Sequence, residues 1–241
     1  MGLPKIDTPI YELDLPLSKK HIRFRPFLVK EQRNLLMALE AEDNDSIEQN
    51  IKQVLHNCTL TEDIDIEKLP VTDVEYYFLN LRARSVGEVA ENKYRCNNEV
   101  DGKECGSIME VNVNLLDIKV DMPENITDTI KLSNNMTVKL KYPEFSIVKE
   151  AKDTTDIGEF AIKMIASSIE YIHDGEQFYY ASEVDQNELV EFIDSLNQQQ
   201  FVKLEEFFNN LPKLQKTVDF TCGKCEFNHK LELEGLNNFF V

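Results

Sequence analysis

The amino-acid sequence predicts an α+β fold for this chain of 241 residues. Apolar and polar residues alternate near the N-terminus, in the middle and near the C-terminus, whereas apolar residues recur every three or four positions in the segments between. Chains of this length bury roughly 70–75% of their unfolded surface, so the core is sizeable. We divide the chain into segments 1–87, 88–143, 144–212 and 213–241. Because no linker rich in Gly, Ser or Pro separates them, we expect one compact unit.

The first segment is predicted to be a β-hairpin followed by three helices. Alternation on both sides of the polar turn at 16–20 predicts the hairpin. A broad apolar stripe in 29–42 predicts the first helix, and Asn44 or Asp45 can cap the second. Thr72 and Glu75 form a capping-box pattern that opens the third, and Gly87 is placed to end it. The expected apolar positions of the first two helices are Leu35, Leu36, Met37, Ala38, Leu39, Ile47, Ile51, Val54 and Leu55.

The later segments alternate between the two periodicities. In 88–143, strands are predicted over 109–115, 129–132 and 137–142, with a turn at Asn134-Asn135. The segment 144–212 is predicted to be helical, apart from a small hairpin around Asp174-Gly175. One helical stripe there comprises Ile157, Phe160, Ala161, Met164, Ile165 and Ile169, and further stripes follow in 189–196 and 204–208. The segment 213–241 returns to strand-like alternation.

Four of the five cysteines occupy two similar contexts. Cys96 and Cys105 are separated by eight residues, and Cys222 and Cys225 by two. Each pair follows an aromatic residue two positions before its first cysteine and precedes an alternating strand. The sequence therefore predicts two strand–knuckle–strand units. The longer first knuckle can loop out, because Asp101-Gly102 is a turn former.

Two such cysteine knuckles suit a tetrahedral metal. A short turn lets two thiolates point at one ion, and two turns supply the four thiolates of a structural zinc ribbon. Cys96, Cys105, Cys222 and Cys225 are the predicted ligands of this zinc, which we expect to be structural because no position stays open for water. Two alternatives remain open: a remnant with free thiols, and a redox disulfide between Cys222 and Cys225.

Composition disfavours several functional classes. Lys and Arg number 26 against 44 Asp and Glu, and a net charge of −18 repels the phosphates of nucleic acids. No apolar run reaches the length of a membrane span, and we find no signal peptide. The sequence contains none of four common functional motifs: a P-loop, G-x-S-x-G, G-x-G-x-x-G and H-E-x-x-H. We therefore expect a cytoplasmic protein that is no enzyme, has no small-molecule substrate and contacts no membrane.

Four weaker signals also occur in the sequence. His229 is either a solvated strand residue or a replacement for one cysteine ligand, and Cys58 is interpreted as a small buried hydrophobe. The basic segment 19–25 is either an ordinary hairpin face or a contact strip for an acidic partner. The apolar C-terminus at 236–241 must dock within the chain or on a partner.

Several sequence motifs resemble those of the baseplate hub proteins of T4-like tailed phages. The resemblance rests on Leu3-Pro4-Lys5-Ile6, on Arg23-Phe24-Arg25-Pro26-Phe27 followed by Val29-Lys30-Glu31, and on the leucine-rich helix after Gln32. It extends along nearly the whole chain and includes the paired knuckles. In the first knuckle, eight residues separate the two cysteines, which departs from the tighter spacing found elsewhere.

The resemblance implies a non-enzymatic role in assembling the baseplate hub in the host cytoplasm during tail morphogenesis. The chain is then expected to bind other baseplate hub proteins through its basic N-terminal strip and apolar helix faces. It would either persist in the virion tail baseplate or act as a chaperone-like assembly factor. The alternative is a zinc-ribbon nucleic-acid-binding or transcription regulatory protein, which the net charge disfavours.

Overall fold

The computed structural model describes residues 7–40, 44–124, 126–147 and 156–235. These ranges contain six α-helices and thirteen β-strands, and all strand pairs are antiparallel. The expected mixture of helices and antiparallel sheets is therefore confirmed. The chain groups into two compact units, the first from the described residues of Met1–Ile64, Thr72–Asp121 and Lys213–Val241, the second from Asp65–Val71 and Met122–Pro212. The division into four segments stays a prediction.

The first unit begins with the predicted hairpin and three helices. Strand β1 (Tyr11–Asp14) pairs with β2 (His21–Phe24), and helices α1 (Val29–Glu40), α2 (Asn44–Cys58) and α3 (Val71–Ser85) follow. The inward side chains of β2 are buried, as its alternation predicts. The apolar stripe of α1 was predicted too broad, because two of its members are exposed to solvent: Leu36 and Met37. The side chains of Leu39 and of the two proposed caps, Asn44 and Asp45, lie outside the described residues, as do Leu3–Ile6 and 236–241.

Two buried carboxylates fix this hairpin and the start of α1. Asp73, on α3, is fully buried and accepts hydrogen bonds from the backbone amides of Leu17 and Ser18, at 2.9 and 2.7 Å. Glu31 accepts from the amide of Leu28 at 2.5 Å and from the guanidinium of Arg25 at 3.0 Å. Asp73 therefore joins two segments that are distant in sequence, whereas Glu31 fixes the start of α1 to the residues just before it. In both cases the hydrogen bonds offset the cost of burial.

Antiparallel hairpins complete the first unit. Strand β3 (Val89–Arg95) pairs with β6 (Ile108–Asn114), and between them β4 (Glu99–Val100) pairs with β5 (Lys103–Glu104). Strand β12 (Lys213–Thr221) lies between β13 (Asn228–Glu234) and β7 (Lys119–Asp121). These elements and α3 share one core: Leu79, Ala83, Ala90, Val111, Val113, Leu115, Ile118, Leu214 and Leu233.

The second unit packs helices on a four-stranded sheet of order β11-β10-β9-β8. Its elements are β8 (Thr129–Lys131), β9 (Thr137–Leu140), α4 (Ile157–Ser167), β10 (Ile169–His173), β11 (Phe178–Tyr180), α5 (Gln186–Asp194) and α6 (Gln198–Asn209). The hairpins predicted at Asn134-Asn135 and Asp174-Gly175 are both present. The core includes Val138, Leu140, Ile165, Ile172, Leu189, Ile193, Leu204 and Phe207.

Two predicted positions of the helical stripe in this unit are wrong. Ile157 begins the helix but is 87% exposed, so it is not part of the buried stripe. The periodicity places Ile169 on the helical stripe, but α4 ends at Ser167 and Ile169 begins β10. Ser168 caps the helix, and its hydroxyl hydrogen-bonds to the carbonyl of Met164 at 2.8 Å. Ile169 is nevertheless buried, because the strand that it begins packs into the same core as α4. An apolar residue near a helix end fits both the helical period and the strand period, so spacing alone could not tell whether Ile169 belongs to the helix or to the strand.

Candidate metal centre

The structure brings the ends of two hairpins of the first unit together at the four cysteines. Cys96 and Cys105 lie between β3 and β6, and Cys222 and Cys225 lie in the turn between β12 and β13. The eight residues that separate the first pair form the small β4–β5 hairpin, which turns at Asp101-Gly102 with φ of 52° and 73°. The amide of Cys105 donates to the carbonyl of Asn98 at 2.7 Å, which closes this hairpin and returns the second thiol to the first.

The four sulfurs form a tight cluster. All lie within 4.8 Å of one another, with 3.6 Å between the Sγ atoms of Cys96 and Cys225 and 3.9 Å between those of Cys105 and Cys222. A tetrahedral ion with Zn–S bonds of about 2.3 Å requires neighbouring sulfurs about 3.8 Å apart. The spacing therefore fits a four-sulfur metal site, and no disulfide joins these cysteines.

Backbone conformation makes the two knuckles alike. The residue that follows the second cysteine is left-handed in both, with φ of 63° at Gly106 and 56° at Glu226. Hydrogen bonds also link the two knuckles directly. The ammonium of Lys224 donates to the carbonyl of Cys105 at 3.1 Å, and the side-chain amide of Asn98 lies 3.6 Å from the sulfur of Cys225.

The thiols differ in their electrostatic environment. Hydrogen bonds from the backbone amides of Cys225 and Lys224 lower the pKa of Cys222 to about 6, which favours its thiolate. Burial raises the pKa of Cys96 to about 12, although the amide of Asn98 acts in the opposite direction. Four thiolates this close repel one another, so all four ionise together only around a cation.

His229 lies against the cluster. It is 6% exposed, and its Nε2 is 3.2 Å from the sulfur of Cys96. Its ring packs on Tyr94, Phe220 and Phe227 at centroid distances of 5.4, 5.3 and 4.9 Å. The interpretation as a solvated strand residue is therefore wrong. The sequence did contain a signal, because Tyr94 and Phe220 each stand two positions before a cysteine and Phe220 pairs with His229 in the β12–β13 register.

The remaining predicted residues lie apart from this cluster. Cys58 is fully buried, as predicted, and burial raises its pKa to about 11. In the basic strip, His21 lies 2.7 Å from Asp14, and Arg25 turns inward to Glu31. Arg23 also lies 3.8 Å from Glu12. Because both arginines of the strip are paired with carboxylates of the same unit, the structure favours the ordinary hairpin face over the contact strip.

Among the helices of the described residues, none has the length and apolar character needed to cross a bilayer.

Comparisons with known proteins point in one direction. The family model for "T4 bacteriophage base plate protein" matches residues 8–241. The "Baseplate hub assembly protein gp26" of Enterobacteria phage T4 is 26% identical over 231 residues, which cover 95% of this chain and 97% of that protein. No solved structure matches the chain.

Proposed function

Because the chain belongs to the T4 bacteriophage base plate protein family, we propose that it is a non-enzymatic baseplate hub component or hub assembly factor. It binds other baseplate hub proteins during tail morphogenesis, in the host cytoplasm and, if it persists, in the virion tail baseplate. The observation that carries this proposal is the likeness to a hub assembly protein along 95% of the chain. Similarity on this scale concerns the whole architecture rather than one motif.

The four cysteines are proposed to bind one structural zinc ion. The support is the sulfur spacing, which fits tetrahedral coordination, together with the amide hydrogen bonds that favour the thiolate of Cys222. Zinc supplies the positive charge that lets four neighbouring thiolates coexist. The ligands come from segments that are distant in sequence, since Cys105 and Cys222 are 117 residues apart. The ion would thus join the ends of the β3–β6 and β12–β13 hairpins.

His229 is proposed to support this centre without binding the metal. Its Nε2 faces the sulfur of Cys96, which makes the ring a hydrogen-bond donor to the thiolate. The three aromatic rings around it fix its orientation. Groups that hydrogen-bond to metal ligands in this way orient them and adjust their basicity.

Size-exclusion chromatography tests the proposed function. The purified chain is mixed with each hub protein of the same phage, expressed separately, and the expected result is a co-eluting complex with at least one of them. If the chain co-elutes with none, the proposal is overturned. A proteomic comparison of purified particles with infected-cell lysate then separates the two forms of the proposal. A hub component is found in both samples, whereas an assembly factor is found in the lysate alone.

A further inference from the structure

The four cysteines of the metal centre differ in their access to solvent. The first cysteine of each knuckle is fully buried, at Cys96 and at Cys222. The second is partly exposed in both knuckles, at Cys105 and at Cys225. Thiol oxidation requires that the oxidant reach the sulfur, so each knuckle offers one sulfur to an oxidant in water and keeps the other out of its reach.

Contacts between the sulfurs run crosswise between the two knuckles. The Sγ atom of the partly exposed Cys225 lies 3.6 Å from that of the buried Cys96. The Sγ atom of the partly exposed Cys105 lies 3.9 Å from that of the buried Cys222. Each crosswise pair thus places a buried thiol beside one that an oxidant can reach. A disulfide needs about 2.05 Å between its sulfurs, so the closer pair must approach by roughly 1.5 Å, which side-chain rotation can supply.

The turn of the second knuckle favours a crosswise partner for Cys222. The amide of Glu226 donates to the carbonyl of Cys222 at 2.9 Å and closes the turn. The amides of Lys224 and Cys225 hydrogen-bond to the sulfur of Cys222. These bonds hold that sulfur in the position from which it contacts the sulfur of Cys105. A disulfide with Cys225 would draw it back into its own turn and disturb them.

We propose that hydrogen peroxide exchanges the zinc of this centre for two crosswise disulfides, an inference that rests on the zinc ion proposed above. The disulfides join Cys96 to Cys225 and Cys105 to Cys222. In each pair the exposed thiolate attacks one oxygen of the peroxide, the O–O bond breaks, and a sulfenic acid and a hydroxide form. The buried thiolate then attacks the sulfenic sulfur, so the S–S bond forms and a second hydroxide leaves. Four thiolates and two peroxides thus give two disulfides and four hydroxides, and the zinc leaves as Zn²⁺ because its thiolate ligands are gone.

The exchange keeps the two hairpins joined after the metal is lost. Zinc would link the ends of β3–β6 and β12–β13 by coordination, and the crosswise disulfides link the same ends covalently. The paired cysteines are 129 and 117 residues apart, and disulfides that close long loops restrict the unfolded chain most. A disulfide within one knuckle would leave the hairpins unlinked. A chain that leaves the reducing host cytoplasm in a virion would therefore keep this junction under oxidising conditions.

Peptide mapping of the peroxide-treated full chain tests the pairing. Trypsin cleaves after Lys103, between the first two cysteines, and after Lys224, between the last two, so each cysteine of the centre lies in a peptide of its own. Mass spectrometry of a digest made without reductant therefore distinguishes the three ways of pairing four cysteines. A chromogenic chelator measures the zinc that is released. The matched control is Cys58→Ala, which lacks the buried thiol outside the cluster and should give the same linked peptides.

We expect the release of about one zinc per chain and two pairs of linked peptides, Cys96 with Cys225 and Cys105 with Cys222. Zinc binding should return when a thiol reductant is added. Any other pairing, or zinc that peroxide does not release, overturns the exchange and leaves the metal centre standing. A wild type that carries no zinc before treatment overturns both, and the co-elution test of the hub role is independent of either result.

Thermal unfolding measures whether the disulfides replace the metal as a link between the hairpins. The three forms compared are the zinc-bound chain, the chain stripped of zinc by a chelator with reductant present, and the peroxide-treated chain. We expect the peroxide-treated form to have a Tm within about 5 °C of the zinc-bound form, and the stripped form to unfold about 10 °C lower. A peroxide-treated chain that is no more stable than the stripped one overturns the proposal.

Discussion

Replacing Cys225 by Ser tests the metal centre most directly. The substitution removes one of four sulfurs that lie within 4.8 Å of one another, and a neutral hydroxyl is a poor ligand for zinc. Cys225 contributes to the cluster through its sulfur, 3.6 Å from that of Cys96, and through its amide, which hydrogen-bonds to the sulfur of Cys222. Because serine keeps the amide, the variant isolates the loss of the sulfur.

The size of the effect follows from binding linkage and from the position of the core. Zinc that binds only the folded chain adds about 3–4 kcal/mol to the free energy of unfolding when free zinc exceeds Kd by roughly 100- to 1000-fold. At about 2–4 °C per kcal/mol for a domain of this size, Cys225→Ser lowers Tm by about 10 °C. The remote ends of the hairpins keep their own core around Ala90, Val113, Leu214 and Leu233, so the unit stays folded.

Elemental analysis and hydrogen exchange measure the outcome. Wild-type protein should carry about one zinc per chain and the variant nearly none, with faster exchange at the amides of Cys96, Cys105 and Cys222 than at those of Val113 and its neighbours. Cys58→Ala is the matched control, because it removes a buried thiol outside the cluster and should keep the zinc. A wild type without zinc, or a Cys225→Ser variant that keeps it, would refute the metal centre.

Three further predictions concern single side chains. His229→Phe should keep one zinc per chain but weaken zinc affinity by about 10- to 100-fold in chelator competition, because a hydrogen-bonding neighbour of the ligands is lost; unchanged affinity contradicts its supporting role. Gly106→Ala should lower the free energy of unfolding by about 1–2 kcal/mol, since its φ of 63° disfavours a side chain, whereas Gly223→Ala, where no such φ occurs, should not. Equal losses would contradict this reason. Glu31→Gln should cost about 2–3 kcal/mol in urea unfolding, against less than about 1 kcal/mol for the exposed Glu12→Gln.

The last of these substitutions also changes the response to acid. Burial opposes ionisation of Glu31, but the hydrogen bonds from Arg25 and the amide of Leu28 outweigh it, so its pKa is lowered in the folded chain. A lowered folded pKa contributes stability above the unfolded value of about 4.3, and this contribution is lost as pH falls through the folded pKa. Urea unfolding between about pH 3 and 6 should therefore show a smaller pH dependence for Glu31→Gln than for the wild type.

Elements with a clear period and a turn signal were predictable from the sequence. The N-terminal hairpin, the three helices after it and the hairpin at Asn134-Asn135 occur where alternation, helical spacing and polar turns place them. The reason is local: each of these segments buries one face, and its own residues specify which face that is. The juxtaposition of the two cysteine pairs was also predictable, because two knuckles supply the donor set that one tetrahedral ion requires.

Features set by contacts between distant residues could not be predicted from the local pattern of each segment alone. The burial of His229 depends on Tyr94, which is far away in sequence and reaches it only after the two hairpins pack together. Arg25 looked like part of a basic strip, but the carboxylate of Glu31 draws it inward. In both cases the side chain has two compatible environments, and the partner that decides between them lies outside the local pattern.

The exposed aromatic residues of β11 show the same limit from the opposite direction. In β11, Phe178, Tyr179 and Tyr180 are all apolar enough to be buried, so alternation cannot tell which of them faces the core. The choice is made by β10, where Ile172 joins the core and Tyr171 does not. The register with β10 then places Phe178 and Tyr180 on the side of Tyr171. Two large rings consequently remain exposed to solvent, because the strand that pairs with them, and not their own apolar character, decides which side of the sheet they occupy.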